Sequence, residues 1–132
     1  MRRILLDTNF IIDTVKWKID LYAELKRICD FAFQVFVPDV VYAELDKFPP
    51  RSKEGQWAKV GRLILEKRSI TIATKGGLAD DVLVRMTTRK DVVATQDQTL
   101  KRRLRANNVG VIVIREKGYL QLIDRVMTYS TR

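Results

Sequence analysis

The feature that most constrains the fold is an alternation of short apolar, β-branched segments with longer segments of helical periodicity. The strand candidates are Arg3–Leu6, Gln34–Val37, Ile70–Ala73, Val92–Ala94 and Val109–Ile114. The predicted helices are Thr8–Val15, Asp20–Phe31, Asp39–Lys47, Glu54–Lys67, Ala79–Arg89 and Gln96–Ala106, and Tyr119–Met127 is a candidate for a last helix. Near-continuous apolar strands separated by helices predict an α/β fold with a parallel sheet covered on both faces.

The length and the uninterrupted pattern predict one domain over residues 1–132. The charged segment Arg51–Glu54 follows Pro49-Pro50, which predicts an exposed connection at the edge of a cleft. No apolar run approaches the ~20 residues of a membrane span. The first apolar run stops at Asp7, unlike a secretory signal, and the single Cys29 cannot form an internal disulfide. These features predict a cytoplasmic protein without a membrane partner.

The charge balance and the absence of histidine narrow the function. Twenty-five basic residues against 16 acidic ones give a net charge of +9. This excess indicates a polyanionic partner such as nucleic acid, although a lineage rich in lysine and arginine would also produce it. Without histidine, a Ser-His-Asp triad, a histidine-pair ribonuclease and a Cys/His zinc site are excluded. Hydrolytic chemistry in this chain would therefore depend on carboxylates, with a metal ion as the natural helper.

Acidic residues lie at the predicted carboxyl ends of the strands, each with a structural alternative. Asp7 follows the first strand and is also a favoured helix N-cap. Glu44 borders an apolar stripe of its helix, where Lys47 could pair with it. Asp80 and Asp81 begin a helix, where acids suit the dipole and Asp81 could pair with the arginine four residues on.

The fourth strand leads to a further acid. Thr95 and Gln98 form a capping box, which places Asp97 in the first turn of the next helix. In a parallel sheet these carboxyl ends share one edge, so the acids are expected to gather there. Clustered carboxylates repel unless a cation neutralises them, and Mg²⁺ or Mn²⁺ prefers oxygen ligands. The set as a whole therefore predicts a Mg²⁺ or Mn²⁺ site.

This pattern resembles the PIN-domain ribonucleases. The matching segments, which follow the family's order over nearly the whole chain, are Leu5–Asn9, Val40–Leu45, Leu78–Leu83, Val92–Asp97, Leu100–Arg105 and Val111–Ile114. The resemblance implies a three-layer α/β/α fold with a central five-stranded parallel sheet in the order 3-2-1-4-5. It also implies a catalytic metal site formed by Asp7, Glu44, Asp81 and Asp97, with Asp80 as an alternative to Asp81. Asn9 and Thr95 would give polar support.

The activity implied by the resemblance is metal-dependent cleavage of RNA phosphodiester bonds. The segment from Ala79 to Arg105 is more similar to the branch that processes ribosomal RNA than to VapC-type toxins. Gln96 departs from the asparagine of many relatives, and we expect it to support its loop. A toxin silenced by an antitoxin and a catalytically inactive RNA-binding module remain alternatives. The corresponding partners are RNA with ribosome-assembly factors, or RNA with an antitoxin, and relatives often form homodimers.

A basic helix follows the last of these acids. Lys101, Arg102, Arg103 and Arg105 cover much of its surface and are candidates for phosphate contact, although a solvated helix face would look the same. Trp17, Tyr42, Trp57 and Tyr119 could stack on unpaired bases, but we expect Tyr42 and Trp57 to pack against helices. A phospho-accepting receiver domain shares this kind of acidic sheet edge. It would carry paired acids after the first strand, whereas the pair here is Asp80-Asp81.

Overall fold

The computed structural model describes residues 1–127, which form six strands and six helices. The strands are β1 (Arg2–Leu6), β2 (Phe33–Pro38), β3 (Ile70–Ile72), β4 (Val92–Ala94), β5 (Gly110–Arg115) and β6 (Tyr119–Ile123). The helices are α1 (Thr8–Lys16), α2 (Leu21–Ile28), α3 (Asp39–Asp46), α4 (Lys53–Arg68), α5 (Ala79–Met86) and α6 (Gln98–Ala106).

The strand order β3-β2-β1-β4-β5-β6 contains the predicted order of the five parallel strands. β1 pairs with both β2 and β4, so the direction of chain winding reverses between β1 and β4. In sheets of this kind the crevice beyond the carboxyl ends at that reversal is the usual ligand site. The fold therefore directs attention to the residues that follow β1 and β4.

The predicted last helix over Tyr119–Met127 was wrong, because its first half forms β6. This strand runs antiparallel to β5, and Leu120 is buried while its neighbours Tyr119 and Gln121 are exposed. Glu116 and Lys117 both have positive φ, and the Gly118 amide donates to the Arg115 carbonyl at 3.0 Å. This tight turn returns the chain along β5, which extends the sheet from five strands to six.

Two helix boundaries differ from the sequence prediction in ways that concern the site. α5 ends at Met86 because Thr87 is extended and Asp91 binds the Thr88 amide at 2.9 Å, closing a turn before β4. α6 begins at Gln98, with Asp97 as its N-cap, and the Asp97 carboxylate accepts from the Leu100 amide at 2.8 Å. The predicted Thr95–Gln98 capping box was therefore wrong by two residues.

The core occupies both faces of the sheet, as expected for three layers. Leu5 of β1 points to one face, where it joins a cluster with Leu100 and Leu104 of α6. Ile4 and Leu6 point to the other face and join the larger cluster, to which α1 to α5 contribute. Because both faces of the sheet are covered, Ile4, Leu5 and Leu6 of β1 are all apolar and fully buried.

α4 packs closely against α1, and Gly61 makes this possible. A Cβ on Gly61 would lie 2.6 Å from the Ile11 side chain, so a larger residue would push the helices apart. Among residues 1–127, no helix combines the length and apolar character required to cross a lipid bilayer.

Candidate active site

Asp7 stands where β1 gives way to α1, at the reversal of the sheet. Its amide donates to the Ala94 carbonyl at 3.0 Å, which ties the end of β1 to the end of β4. Its carboxylate accepts from the Thr8 amide at 2.8 Å and from the Thr95 hydroxyl at 2.9 Å. The residue is therefore the N-cap of α1 and, at the same time, a buried acid at the carboxyl edge of the sheet.

Thr95 connects Asp7 to Asp97. Its hydroxyl is fully buried, donates to Asp7 and accepts from the Asp97 amide at 3.1 Å. Thr95 thus connects the residues that follow β1 and β4 through its hydroxyl. Gln96 also supports this loop, because its side chain bonds both the amide and the carbonyl of Ile114 on β5.

Glu44 reaches the same edge from α3. Its carboxylate accepts from the Thr8 hydroxyl at 2.6 Å and from the Ala79 amide, at the start of α5, at 3.3 Å. No ion pair between Glu44 and Lys47 is present in the described residues. Glu44 therefore joins α1, α3 and α5 at the site instead of lying on a solvated flank.

The electrostatics show that two of the other acids act on Asp7. Burial raises the pKa of Asp7, the hydrogen bonds from Thr95 and Thr8 oppose that rise, and the charges of Glu44 and Asp97 add to it. Asp7 thus carries an ionised carboxylate only at a cost, which a bound cation would reduce.

Asp80 and Asp81 lie at the start of α5, near α6. Asp81 is exposed and accepts from Arg103 at 2.8 Å, while an oxygen of half-buried Asp80 lies 4.0 Å from the same guanidinium nitrogen. The Asp81 partner expected four residues on was wrong, because Arg103 occupies this carboxylate. The structure joins neither acid to Asp7 by a hydrogen bond.

The chemistry of this site suits a hard divalent cation. Asp7, Glu44 and Asp97 supply carboxylate oxygens, the ligands that Mg²⁺ and Mn²⁺ prefer. Within residues 1–127, no three His, Cys, Asp or Glu side chains already form a complete cation cluster. The acids are near enough to shift the pKa of Asp7, yet each is held by hydrogen bonds to neighbouring groups.

A groove of about 360 Å³ continues from Asp97 between α1 and α4. One face of α1 forms one wall. The rest of the lining comes from α4, from Phe48 after α3, and from the loop between β4 and α6. The lining residues are Asn9, Ile12, Asp13, Lys16, Phe48, Glu54, Trp57, Gln96 and Asp97. Burial raises the pKa of Asp13 and the charge of Lys16 opposes that rise. The predicted support residue Asn9 thus belongs to the groove wall.

Of the four basic side chains predicted to contact phosphate, two are bound to other parts of the protein. Arg105 donates to the carbonyls of Val109, Ile123 and Asp124, so it joins α6 to both ends of the β5–β6 hairpin. Arg103 binds Asp81. Within the described residues, Lys101 and Arg102 make no ion pair and are the members of this set left for phosphate contact.

The arrangement of strands and acids agrees with the family comparison. Residues 4–117 match the family described as PIN like domain. The chain is a member of the PIN-like domain family. Membership confirms the resemblance found in the sequence motifs and is incompatible with the receiver-domain alternative.

Individual PIN-domain proteins are similar over most of the chain. Ribonuclease VapC4 of Methanocaldococcus jannaschii is 28% identical over 131 residues, covering 96% of this chain and 100% of that protein. The rRNA-processing protein FCF1 of Saccharomyces cerevisiae is 29% identical over 126 residues, covering 94% of this chain and 65% of that protein. The FCF1 homolog of Homo sapiens is 36% identical over 110 residues, covering 77% of this chain and 51% of that protein.

A solved structure has the same fold. The PIN domain endonuclease Utp24 superposes with a TM-score of 0.76 at 26% identity, and the match covers 95% of this chain and 96% of that chain. The match therefore covers all of VapC4 and 96% of the Utp24 chain, but only 65% and 51% of the two FCF1 proteins.

Sequence reasoning missed three features of the site. Thr8 holds Glu44, and its place beside Asp7 was the available signal. Asp13 lies four residues after Asn9, so helical spacing could have placed both on one face. Glu54 and Trp57 reach the groove only through the packing of α4 on α1, and no local pattern carries that information.

Proposed function

We propose that this PIN-domain protein is an endonuclease that hydrolyses RNA phosphodiester bonds with Mg²⁺ or Mn²⁺ held by carboxylates. The observation that carries the proposal is the linked set of acids at the sheet reversal. Thr95 joins Asp7 to Asp97, and Thr8 joins the helix that Asp7 caps to Glu44. The names of VapC4 and Utp24, a ribonuclease and an endonuclease, support the same reaction class.

In this proposal Asp7, Glu44 and Asp97 hold the cation. When bound, the cation would supply positive charge beside the scissile phosphate and would lower the pKa of a nearby water. Thr95 and Thr8 orient the carboxylates, while Lys101 and Arg102 hold phosphates on either side of the cut. Asp81, or Asp80 in its place, contributes its carboxylate when it is released from Arg103.

The biological role that we favour is processing of ribosomal RNA. The 36% identity to the human FCF1 homolog over 110 residues supports this branch, and ribosome-assembly factors would then be partners. A second candidate is a toxin ribonuclease controlled by an antitoxin, which the match over the full length of VapC4 supports. Induced expression distinguishes the two, because a toxin should arrest growth, whereas depletion of a processing enzyme should accumulate precursor ribosomal RNA.

The ligand assignment is tested by replacing each acid with its amide. Glu44→Gln and Asp97→Asn should each lower the rate of RNA cleavage in Mn²⁺ by at least about a hundredfold, because replacing even a residue that only supports a metal ligand typically costs about 10–100-fold. Asp46→Asn is the matched control, because Asp46 lies on α3 two residues after Glu44 and pairs with Arg62 at the surface.

The same series decides between the two acids of α5. Whichever of Asp80→Asn and Asp81→Asn lowers the rate more identifies the participating residue. Unchanged cleavage by both Glu44→Gln and Asp97→Asn would contradict the site. No cleavage by the native protein, with RNA binding retained, would instead identify an inactive RNA-binding module.

A further inference from the structure

The groove between α1 and α4 has polar groups that the fold itself does not use. Within the described part of the chain, the side chains of Asn9, Asp13 and Glu54 make no hydrogen bond or ion pair. Asp13 is half-buried, so part of its hydration has already been removed. Polar groups that line a cavity without protein partners are available to a ligand.

The position of the groove connects it to the proposed cleavage site. Asp97 lies at one end and belongs both to the groove and to the set of acids that raises the pKa of Asp7. A polynucleotide cut beside Asp7 would therefore place a neighbouring nucleotide at the groove. The volume of about 360 Å³ is near the lower limit of pockets that bind small molecules, roughly 300 Å³.

The lining favours a base over a phosphate or a second cation. Trp57 supplies an indole ring that packs partly against the core, and the Lys16 ammonium 5.4 Å from the ring centre would have to give way to a stacked base. Two carboxylates repel phosphate but accept hydrogen bonds from N–H groups. A further metal ion is disfavoured, because the Lys16 ammonium lines the same groove and would repel it.

We propose that this groove binds one unpaired base of the RNA and selects guanine. Trp57 stacks on the base, while Asp13 and Glu54 accept from its Watson–Crick edge. Guanine presents two adjacent donors there, N1–H and N2–H₂, whereas adenine and cytosine present one amino group. The proposal rests on the proposed function only in taking RNA as the substrate, since base stacking and edge recognition do not require cleavage.

The test measures RNA binding in an Asp7→Asn background, so that the probe is not cut. The probes are fluorescein-labelled seven-nucleotide RNAs of uridine whose central base is G, A, C or U, and the readout is fluorescence anisotropy. The G probe should bind about tenfold more tightly than the other three, as expected when hydrogen bonds to a charged group are gained. Equal affinity for all four probes would overturn the proposal.

Variants of the groove residues separate edge recognition from stacking. Adding Glu54→Gln or Asp13→Asn, which keep shape, should reduce the preference for G below about threefold. Adding Trp57→Ala should weaken every probe by about tenfold or more, and Trp57→Phe should restore most of that affinity. Asp30→Asn is the control, because Asp30 is exposed and precedes the amino end of β2, whereas the site lies beyond the carboxyl ends of the strands. A preference for G that survives both acid substitutions would contradict the assignment.

Cleavage of the same RNAs by the protein with Asp7 intact, in Mn²⁺, distinguishes the two proposals. A preference for G without any cleavage would support the groove and contradict the nuclease. Cleavage with equal affinity for the four probes would support the nuclease and contradict the groove.

Discussion

Replacing Thr95 with valine tests the hydrogen bond that links the buried acids. Valine keeps the shape but removes a hydroxyl that donates to the Asp7 carboxylate at 2.9 Å. A hydrogen bond to a charged group contributes about 1.5–3 kcal/mol. The Asp97 amide, which also loses the Thr95 hydroxyl as its acceptor, can donate to water instead, because Asp97 is exposed. We therefore expect a loss of about 2 kcal/mol in the free energy of unfolding. At roughly 2.1 cal/mol/K per residue, this lowers the Tm by about 7 °C.

The effect should depend on pH, and its sign follows from Asp7. Because the Thr95 hydroxyl lowers the pKa of Asp7, its removal raises that pKa further. The ionised form loses more than the protonated form, so the deficit of Thr95→Val is largest at neutral pH. The deficit should shrink as the pH falls below the folded-state pKa of Asp7, where both proteins hold it protonated.

Urea unfolding of the native protein, Thr95→Val and Thr95→Ser at several pH values measures this. The serine variant keeps the hydroxyl and should show little pH-dependent deficit, although it loses a buried methyl group. A deficit in Thr95→Val that stays constant across the titration of Asp7 would refute the argument that the hydroxyl acts on the charge of this carboxylate.

The remaining predictions concern phosphate contact, a buried ion pair and the last turn. Neutralising Lys101 and Arg102 to glutamine should reduce the slope of log Kd against log salt by about 1.4 for single-stranded RNA, whereas Arg105→Gln should lower thermal stability and leave that slope unchanged. Asp91→Asn should cost about 3 kcal/mol at pH 7 in urea unfolding, because buried Asp91 pairs with Arg3 at 2.9 Å. Burial raises the pKa of Asp91, but the hydrogen bonds from Arg3 and Thr88 lower it by more, so the folded-state pKa is below the ordinary value. The stabilisation from this ion pair is therefore complete above the unfolded-state pKa, about 3.9, and is lost in acid, where the native protein and Asp91→Asn should have similar stability. Lys117→Gly should raise the free energy of unfolding by about 1 kcal/mol, because Lys117 has a φ of 53°; a decrease would contradict this.

Much of the fold could be predicted because the strands carry local signals. Ile4, Leu5 and Leu6 are apolar on both faces, which is typical of a central parallel strand, and the helix of Glu44 has clear periodicity. β6 was missed because Leu120, Ile123 and Met127 also recur at helical spacing. The turn at Glu116 and Lys117 lacks the Asn-Gly signal that usually marks a hairpin, so the reversal could not be detected.

The candidate site was predictable where residues follow strands and less so where packing decides. Asp7 and Asp97 come directly after β1 and β4, and the parallel sheet brings these ends together. The ion pair of Asp81 with Arg103 joins residues 22 positions apart and depends on how α5 sits against α6. Spacing within one helix favoured a different arginine, because local patterns describe contacts along a helix and not between helices.

The most direct test of the account is cleavage of a labelled RNA by protein stripped with EDTA. The native protein and Asp7→Asn are compared without metal, after addition of Mn²⁺ or Mg²⁺, and after a second addition of EDTA. The account predicts internal cuts that appear with the metal, stop with EDTA and are absent in Asp7→Asn, although the variant remains folded. Cutting that persists in EDTA, or that Asp7→Asn retains in full, would contradict a carboxylate-held metal site at Asp7.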